Sequence, residues 1–361
     1  MKVLFTCADR PTISRNRFHR QLLKERCEYD ECVSQGGSYV SRIPSILLRL
    51  PFKIPGKDFF VVGYMGHFLV IFLRFFTKKP IVFDFYLSIF DMMCNDRKVY
   101  SPHSLPGRLT RWIEKRSLEL ADYVIVDTDR LITTLSEDYG IPQEKFIRVP
   151  LTINEESVKP LKVTPYKTCF TVLYVGSYIP LHGTPVIIEA AKRLEEMQEK
   201  IHFLMIGEGP EYQKCRQLAE SYGLTNIDFK GFMPLEDLNH YYNACDINLG
   251  LFNTGDRANS VVLNKTNDAF RVGKPHLTLA TDAMRESFRD NEDIFYVQDI
   301  NPDTLARRIL EIKNDPTLLQ KVGENALRTY REKLSNAKAV QIMEEKIFSP
   351  LEKTTESKNR E

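Results

Sequence analysis

Short apolar runs alternate with longer amphipathic stretches along most of the chain. This alternation is typical of βαβ units, in which parallel strands are covered by helices on both faces. The pattern predicts strands at 3–6, 59–62, 81–83 and 123–127 in the first half, and at 170–175, 202–206, 227–229, 247–251, 276–279 and 294–297 in the second. The chain is therefore expected to have an α/β fold with mostly parallel sheets.

Amphipathic stretches between these strands predict helices, for example over 109–120, 184–198, 211–222 and 302–314. A stretch with no periodicity, 154–167, contains Pro160 and Pro165 and has the composition of an interdomain linker. A length of 361 residues fits two domains. We predict an N-terminal domain over 1–160, a second domain over 161–335, and a C-terminal helix with a polar tail over 336–361, with a return of that helix to the first domain left open.

One apolar segment, 59–76, could be mistaken for a membrane span. Gly63 and Gly66 divide it into a run of strand length and a run of helix length, so we interpret it as buried core. Aromatic residues beside Arg74, Lys78 and Lys79 leave peripheral contact with a membrane surface open.

Charge is unevenly placed although Lys and Arg (50) nearly balance Asp and Glu (48). Residues 1–110 carry 17 basic and 9 acidic side chains, which is +8 for that third and −6 for the rest. The excess favours an anionic partner such as a phospholipid surface or a lipid-linked phosphate, with a solvated charged face as the alternative. No nucleic-acid motif accompanies it. Seven scattered cysteines without a Cys-x-x-Cys pair, and no secretion signal at the first residues, indicate the cytoplasm.

Glycine-bounded loops follow three predicted strands of the second half. Gly176, Ser177, His182 and Gly183 lead from a strand into a helix, where free N–H groups and the helix dipole suit a phosphate; an ordinary turn is the alternative. The next loops contain Gly207 and Gly209, then Gly231 and Phe232, and they allow a flat ring or a sugar to approach the backbone. The spacing does not fit a dinucleotide fingerprint, which disfavours a nicotinamide enzyme.

A lysine and a carboxylate stand three residues apart in the segment Asn264-Lys265-Thr266-Asn267-Asp268. On a helix this spacing puts Lys265 and Asp268 on one face. Asp268 could then accept hydrogen bonds from ribose hydroxyls while Lys265 opposes a pyrophosphate. An exposed surface ion pair is the alternative.

The order of these features resembles the nucleotide-sugar half of GT-B glycosyltransferases, most closely glycosyltransferase family 4. The matching residues are Gly176, His182-Gly183, Gly207-Glu208-Gly209-Pro210, Gly231-Phe232, Ala244-Cys245-Asp246, Asp268-Ala269 and Gly273-Lys274-Pro275. The first half resembles a bacterial branch of that family at Phe83-Asp84-Phe85-Tyr86-Leu87-Ser88, Asp91, Asp96-Arg97, Arg108 to Arg116 and Ala121-Asp122. The resemblance implies a GT-B fold, with two Rossmann-like doubly wound domains facing a cleft.

The sequence departs from the family pattern at three places. Ser177 and His182 stand where many members have Arg and Lys, Asp268 replaces the second of two glutamates, and Ser260 replaces the first. Asn264-Lys265 partly compensates for the missing first glutamate, since the same branch commonly has Asn-Lys before its second acidic residue. The contact to the transferred sugar stays unassigned.

The resemblance implies an enzyme that transfers a sugar from a nucleoside-diphosphate sugar to a lipid-linked or polysaccharide acceptor. Retention of configuration and independence of metal and cofactor are implied as well. Asp127-Thr128-Asp129 has the spacing of a metal-binding pair but follows a strand of the wrong half, so we interpret it as a turn or helix cap. Two alternatives stay open: a catalytically inactive GT-B scaffold subunit, which Ser260 favours, and a sugar-nucleotide epimerase.

Residue roles follow from the same resemblance. Lys265 would assist departure of the diphosphate and Asp84, at a strand end, would act on the acceptor side; an N-cap is the alternative for Asp84. The donor would contact Gly176, Ser177, His182, Gly183, Gly207, Gly209, Phe232, Asn264 and Asp268. The acceptor would contact Arg15, Arg17 and Ser88, with the arginines receiving a phosphate on a lipid carrier or forming a plain solvated helix face. His19 and His67 are interpreted as structural.

Overall fold

The computed structural model describes residues 1–34, 36 and 39–358. It divides into two compact units: Met1–Thr152 together with the chain from Asn336 onward, and Ile153–Ser335. The second unit begins eight residues before the predicted boundary at 161. The reason is that the proline-containing segment is held inside the second unit, where the Lys159 backbone N–H donates to Asn239 and the Tyr330 hydroxyl donates to Glu155.

The first unit contains a six-stranded parallel sheet with strand order β2-β1-β3-β4-β5-β6. Its strands are β1 (Lys2–Thr6), β2 (Glu28–Cys32), β3 (Phe59–Val62), β4 (Ile81–Asp84), β5 (Tyr123–Val126) and β6 (Phe146–Arg148). Its helices are α1 (Ser14–Arg26), α2 (Tyr39–Lys53), α3 (His67–Phe76), α4 (Leu105–Leu120) and α5 (Asp129–Tyr139). Strand order reverses between β1 and β3, which is where an open sheet of this type leaves a crevice at its carboxyl edge.

The second unit contains another six-stranded parallel sheet, with strand order β12-β11-β10-β7-β8-β9. Its strands are β7 (Phe170–Val175), β8 (Ile201–Ile206), β9 (Ile227–Lys230), β10 (Ile247–Leu249), β11 (His276–Leu279) and β12 (Phe295–Val297). Its helices are α6 (Thr184–Glu196), α7 (Tyr212–Tyr222), α8 (Leu235–Ala244), α9 (Asp256–Ser260), α10 (Asn264–Arg271), α11 (Asp282–Ser287), α12 (Pro302–Asn314) and α13 (Pro316–Thr329). This is the Rossmann strand order, so the prediction of two doubly wound α/β units is confirmed.

The last part of the chain returns to the first unit through α14 (Asn336–Met343) and α15 (Ser349–Lys358). Met343, Ile347 and Phe348 are fully buried in the same apolar cluster as Val3 and Phe59 of the sheet. The Arg26 guanidinium also donates to the carboxylates of Glu344 and Glu352. The returning segment therefore completes one face of the first unit's core. In the described part of the chain, every helix is too short or too polar to cross a bilayer.

Candidate functional site

The loops after β7 and β8 lie against each other at the carboxyl edge of the second sheet. A Cβ atom on Gly207 would stand 1.9 Å from the Gly176 carbonyl oxygen, and one on Gly209 would stand 1.6 Å from that of Ser177. Both glycines also have positive φ angles, +120° and +156°, which side chains disfavour. Only glycine fits either position, so the predicted donor loops meet as bare backbone, with the Ser177 side chain exposed.

His182 is buried beside this loop and is not a cation. Its Nδ1 atom and the Tyr174 hydroxyl share a hydrogen bond of 2.7 Å. Burial, together with the nearby charges of Lys265 and Arg257, lowers the pKa of His182 to about 2. His182 is therefore a neutral imidazole that orients Tyr174, and its side chain supplies no positive charge to the loop.

Lys265 lies in the first turn of α10, and its ammonium group is buried without a hydrogen-bond partner among the described residues. Its Nζ atom stands 4.2 Å from the centre of the Tyr174 ring. Burial lowers the pKa of Lys265 to about 7. A cation removed from water without an anion is costly, because the ring face replaces only part of its hydration. The side chain is thus placed to receive an anionic group.

Asp268 lies one turn further along α10, with its carboxylate also buried. It accepts a hydrogen bond of 3.2 Å from the Tyr242 hydroxyl. Burial raises the pKa of Asp268 to about 7, against the effect of that hydrogen bond. Asn264, at the start of the same helix, has a buried side-chain oxygen without a partner in the described structure. The helix therefore presents one cation and two acceptors whose bonding is incomplete, and the alternative of an exposed surface pair is wrong.

Phe232 differs from these residues because it is exposed, with 75% of its surface accessible. It follows β9 and Gly231. An aromatic ring on the surface of such a loop is free to stack on a planar group.

Asp84 ends β4 inside the first unit, where both carboxylate oxygens are hydrogen-bonded. Arg15 donates to both its oxygens, at 2.9 and 3.1 Å, and His19 Nε2 lies 2.7 Å from Oδ2. Burial acts to raise the pKa of Asp84, but Arg15 and His19 outweigh it and lower the pKa to about 2. The third Arg15 donor bonds the Pro150 carbonyl at 2.9 Å. This buried ion cluster ties α1 to the sheet, and it corrects the expectation of a reactive Asp84 and of an Arg15 open to a phosphate.

Ser88 and Arg17, the other predicted acceptor residues, are not brought together. The Ser88 hydroxyl is buried and donates to the Glu114 carboxylate at 2.8 Å. Arg17 is exposed on α1 and bonds only weakly to the Thr12 carbonyl, at 3.4 Å. Ser88 thus donates a hydrogen bond to a buried glutamate, whose pKa is raised to about 7 mainly by burial. Of the three predicted acceptor residues, Arg17 is the one whose charge stays accessible to solvent.

Two residues of these clusters have no signal in the sequence. Tyr174 and Tyr242 have the pattern of ordinary core aromatics, and their contacts with Lys265 and Asp268 depend on packing between elements. The interpretation of His19 as structural is confirmed, since it is buried and bonds Asp84, which lies 65 residues away. The signal available for His19 was its i, i+4 spacing from Arg15 on one helix.

The described residues contain no group of three or more His, Cys, Asp and Glu side chains placed to hold a metal ion. Thr128 is the N-cap of α5 and accepts from the Leu131 N–H, while Asp129 pairs with Arg148. The interpretation of Asp127-Thr128-Asp129 as a helix cap is confirmed.

Comparison with known proteins finds a family model that matches most of the second unit. Residues 159–329 match the model of the glycosyl transferases group 1. An uncharacterized glycosyltransferase of Methanocaldococcus jannaschii, MJ1178, is 23% identical over 168 residues, which are 46% of this chain and 45% of that protein. The putative colanic acid biosynthesis glycosyltransferase WcaL of Escherichia coli is 23% identical over 172 residues, which are 47% of this chain and 42% of that protein. The chain thus spans about half the length of these curated relatives.

Solved structures resemble the whole chain. Anabaena Alr3699/HepE in complex with UDP matches with a TM-score of 0.73 at 15% identity, over 97% of this chain and all of the other. Sucrose-phosphate synthase from Thermosynechococcus elongatus matches with a TM-score of 0.76 at 16% identity, over the same shares. The predicted fold is therefore confirmed. The chain has a GT-B fold, and its residues 159–329 match the model of the glycosyl transferases group 1.

Proposed function

We propose that this protein is a glycosyltransferase that binds a nucleoside-diphosphate sugar in its second unit. The observation that carries the proposal is the buried Lys265 ammonium, which has no hydrogen-bond partner in the described structure and stands 4.2 Å from the ring centre of Tyr174, a residue near the end of β7, just before the Gly176 loop. A diphosphate would supply the missing anion. The loops would supply backbone N–H groups, as helix amino termini and glycine turns do for phosphates elsewhere.

We propose the remaining donor contacts as well. We assign Asp268 to the ribose hydroxyls, Asn264 to the diphosphate side of α10, and Phe232 to stacking on the base. Ser177 and Gly209 would offer the diphosphate hydroxyl or backbone N–H donors. Gly183, whose N–H donates to the Pro180 carbonyl, would line the diphosphate without donating, and neutral His182 would hold Tyr174 in place. Support comes from Anabaena Alr3699/HepE, a structural neighbour solved with UDP and with UDP-glucose.

Lys265 is the residue to which we assign a catalytic role. As the bond to the sugar breaks, negative charge grows on the departing diphosphate, and a fixed cation in a dry site stabilises that charge. We propose a hexosyl transfer of the family 4 type, with retention and without metal or cofactor, to a lipid-linked or saccharide acceptor. The proposed acceptor side includes Arg17 and peripheral contact with an anionic membrane on the cytoplasmic face.

Calorimetric titration with a panel of nucleotide sugars tests the donor site. Lys265→Met keeps the length of the side chain and removes its charge, so the best ligand should bind roughly 10- to 100-fold more weakly, the range for a lost charge-assisted hydrogen bond. Lys321→Met, at an exposed position of the same unit, is the matched control and should bind as the wild type does. Equal binding by both variants would contradict the proposed site.

A second candidate, a GT-B scaffold without turnover, is favoured by Ser260. Its hydroxyl donates to the Asp256 carbonyl at 2.8 Å within α9, and no carboxylate stands at this position. Release of nucleoside diphosphate from any nucleotide sugar by the purified chain, abolished in Lys265→Met, would exclude the scaffold. Tight binding without turnover on any acceptor would favour it.

A further inference from the structure

Three helices of the first unit, α2, α3 and α4, share a surface that exposes large apolar side chains. Phe52, Phe75 and Leu105 each expose 80% or more of their surface. Between the helices lies a groove of about 590 Å³, lined by carbon-rich side chains that include Ile43, Leu47, Phe68, Phe72 and Trp112. Apolar surface of this extent on a folded chain is typical of an interaction site. We call this surface the α2–α3–α4 face.

The stretches of chain that supply most of this face are basic. The two acidic residues of α4, Glu114 and Glu119, lie in its C-terminal half, where Glu114 is buried and Glu119 pairs with Arg116. Residues 39–53, 67–79 and 97–113 together hold ten Lys and Arg side chains and not one Asp or Glu. Lys78, Lys79 and Arg108 are exposed, and none of them forms an ion pair within the described structure. Arg42, Lys53 and Arg74 are paired, with Asp9, Asp30 and Asp122. The face therefore combines an apolar groove with exposed basic side chains, among which Lys78, Lys79 and Arg108 have no ion-pair partner in the described structure.

We infer that the α2–α3–α4 face docks on an anionic phospholipid bilayer. Aromatic and leucine side chains would enter the headgroup region, and the lysines and arginines around them would contact lipid phosphates. A bilayer offers hydrocarbon and negative charge side by side, which matches this arrangement. A second copy of the chain would instead bring two positive surfaces together. The inference rests on the proposed function, because it names the surface that makes the proposed membrane contact. Vesicle binding is measured without a sugar donor, so it is tested separately from donor binding.

Trp112 makes the inference directly measurable because it is the only tryptophan of the chain and stands in the groove, 55% exposed. Vesicles of phosphatidylglycerol and phosphatidylcholine should shift its emission to the blue, and brominated lipids should quench it. Phosphatidylcholine vesicles alone should do neither at physiological salt. Absence of both effects on anionic vesicles would overturn the inference.

Charge and apolar contact can be removed separately. Lys78→Glu with Lys79→Glu should weaken binding to anionic vesicles at least tenfold, since each basic residue near such a surface contributes several-fold. Lys162→Glu with Lys321→Glu makes the same change in net charge on exposed positions of the second unit and should leave binding nearly unchanged. Phe75→Glu should weaken it as well, whereas Met197→Glu, an exposed apolar residue of the second unit, should not.

Other occupants of the groove give different results. A blue shift that grows with protein concentration without lipid, together with a dimer mass in light scattering, would assign the face to a second copy and overturn the inference. If a monomeric single-chain amphiphile saturates the blue shift of Trp112 while anionic vesicles cause none, the inference would also be overturned. The doubly substituted Lys78 and Lys79 variant should still bind nucleotide sugar. Loss of donor binding in Lys265→Met should leave vesicle binding intact, so the two proposals fail independently.

Discussion

Two buried charged clusters, one in each unit, have opposite bonding states. In the first unit, Asp84 is bonded to Arg15 and His19, and the third guanidinium nitrogen of Arg15 donates to the Pro150 carbonyl. In the second unit, Lys265 has an aromatic ring as its neighbour and no hydrogen-bond acceptor among the described residues. Removing one partner of a buried ion pair destabilises the fold, whereas a buried ion that lacks a counter-ion already weakens the empty protein. The difference indicates which cluster is structural and which is prepared for a ligand.

The largest effect is expected when the paired cluster is broken. Asp84→Asn removes the charge that compensates Arg15, and we expect a loss of about 3–5 kcal/mol in the free energy of unfolding, measured by chemical denaturation. Asp129→Asn breaks an exposed pair with Arg148 and should cost at most about 1 kcal/mol. Because the pKa of Asp84 is lowered to about 2 in the folded protein, the stability that its charge contributes should be present above pH 4 and should be lost as pH falls toward 2.

An Asp84→Asn protein with unchanged stability and greatly reduced turnover would reverse this conclusion. It would return Asp84 to the acceptor side as a reactive carboxylate, and the contrast between the clusters would disappear.

A change of opposite sign is expected for the unpaired cluster. Lys265→Met replaces a buried cation with an apolar side chain of similar length, so the empty protein should gain about 1–3 kcal/mol in unfolding free energy at pH 7. In the wild type, the lowered pKa means that the unfolded chain holds the Lys265 proton more strongly. Stability should therefore rise with pH between about 7 and 10, a trend that the variant lacks. Destabilisation by Lys265→Met would show that the ammonium is already satisfied.

The smallest effect concerns donor affinity as a function of pH. Binding of a diphosphate and a ribose requires a charged Lys265 and an ionised Asp268, and both groups have a pKa of about 7. Calorimetry should show the tightest binding near pH 7, with a loss of up to about tenfold for each unit on either side, or about 1.4 kcal/mol. Lys265→Met should flatten the alkaline limb and Asp268→Asn the acid limb. A flat profile for the wild type would separate these groups from the donor.

Much of the fold could be predicted because apolar runs mark buried parallel strands. Strand β2 was missed because it lies at the sheet edge, where Glu28, Asp30 and Glu31 interrupt the apolar pattern. Helix α2 was missed because it contains Pro44 and Pro51, residues that ordinarily end helices. Tertiary packing overrode local preference in both places.

The two buried clusters also differ in how far the sequence could predict them. Lys265 and Asp268 belong to one helix, so their shared face followed from a spacing of three. Arg15 and Asp84 are 69 residues apart, and their contact depends on how α1 packs beside β4, which no local pattern encodes. The sequence therefore indicated the pair that we propose for the donor, whereas the bonding of Asp84 to Arg15 and His19 had no signal in it.

The return of α14 and α15 to the first unit has a consequence for synthesis on the ribosome. Met343, Ile347 and Phe348 are translated after the whole of the second unit, yet they cover apolar surface formed by β1 and β3. The second unit is continuous in the chain and can fold as it emerges, whereas the first must wait with one side of its core bare. Nascent chains halted before residue 336 should consequently recruit chaperones through their earliest strands.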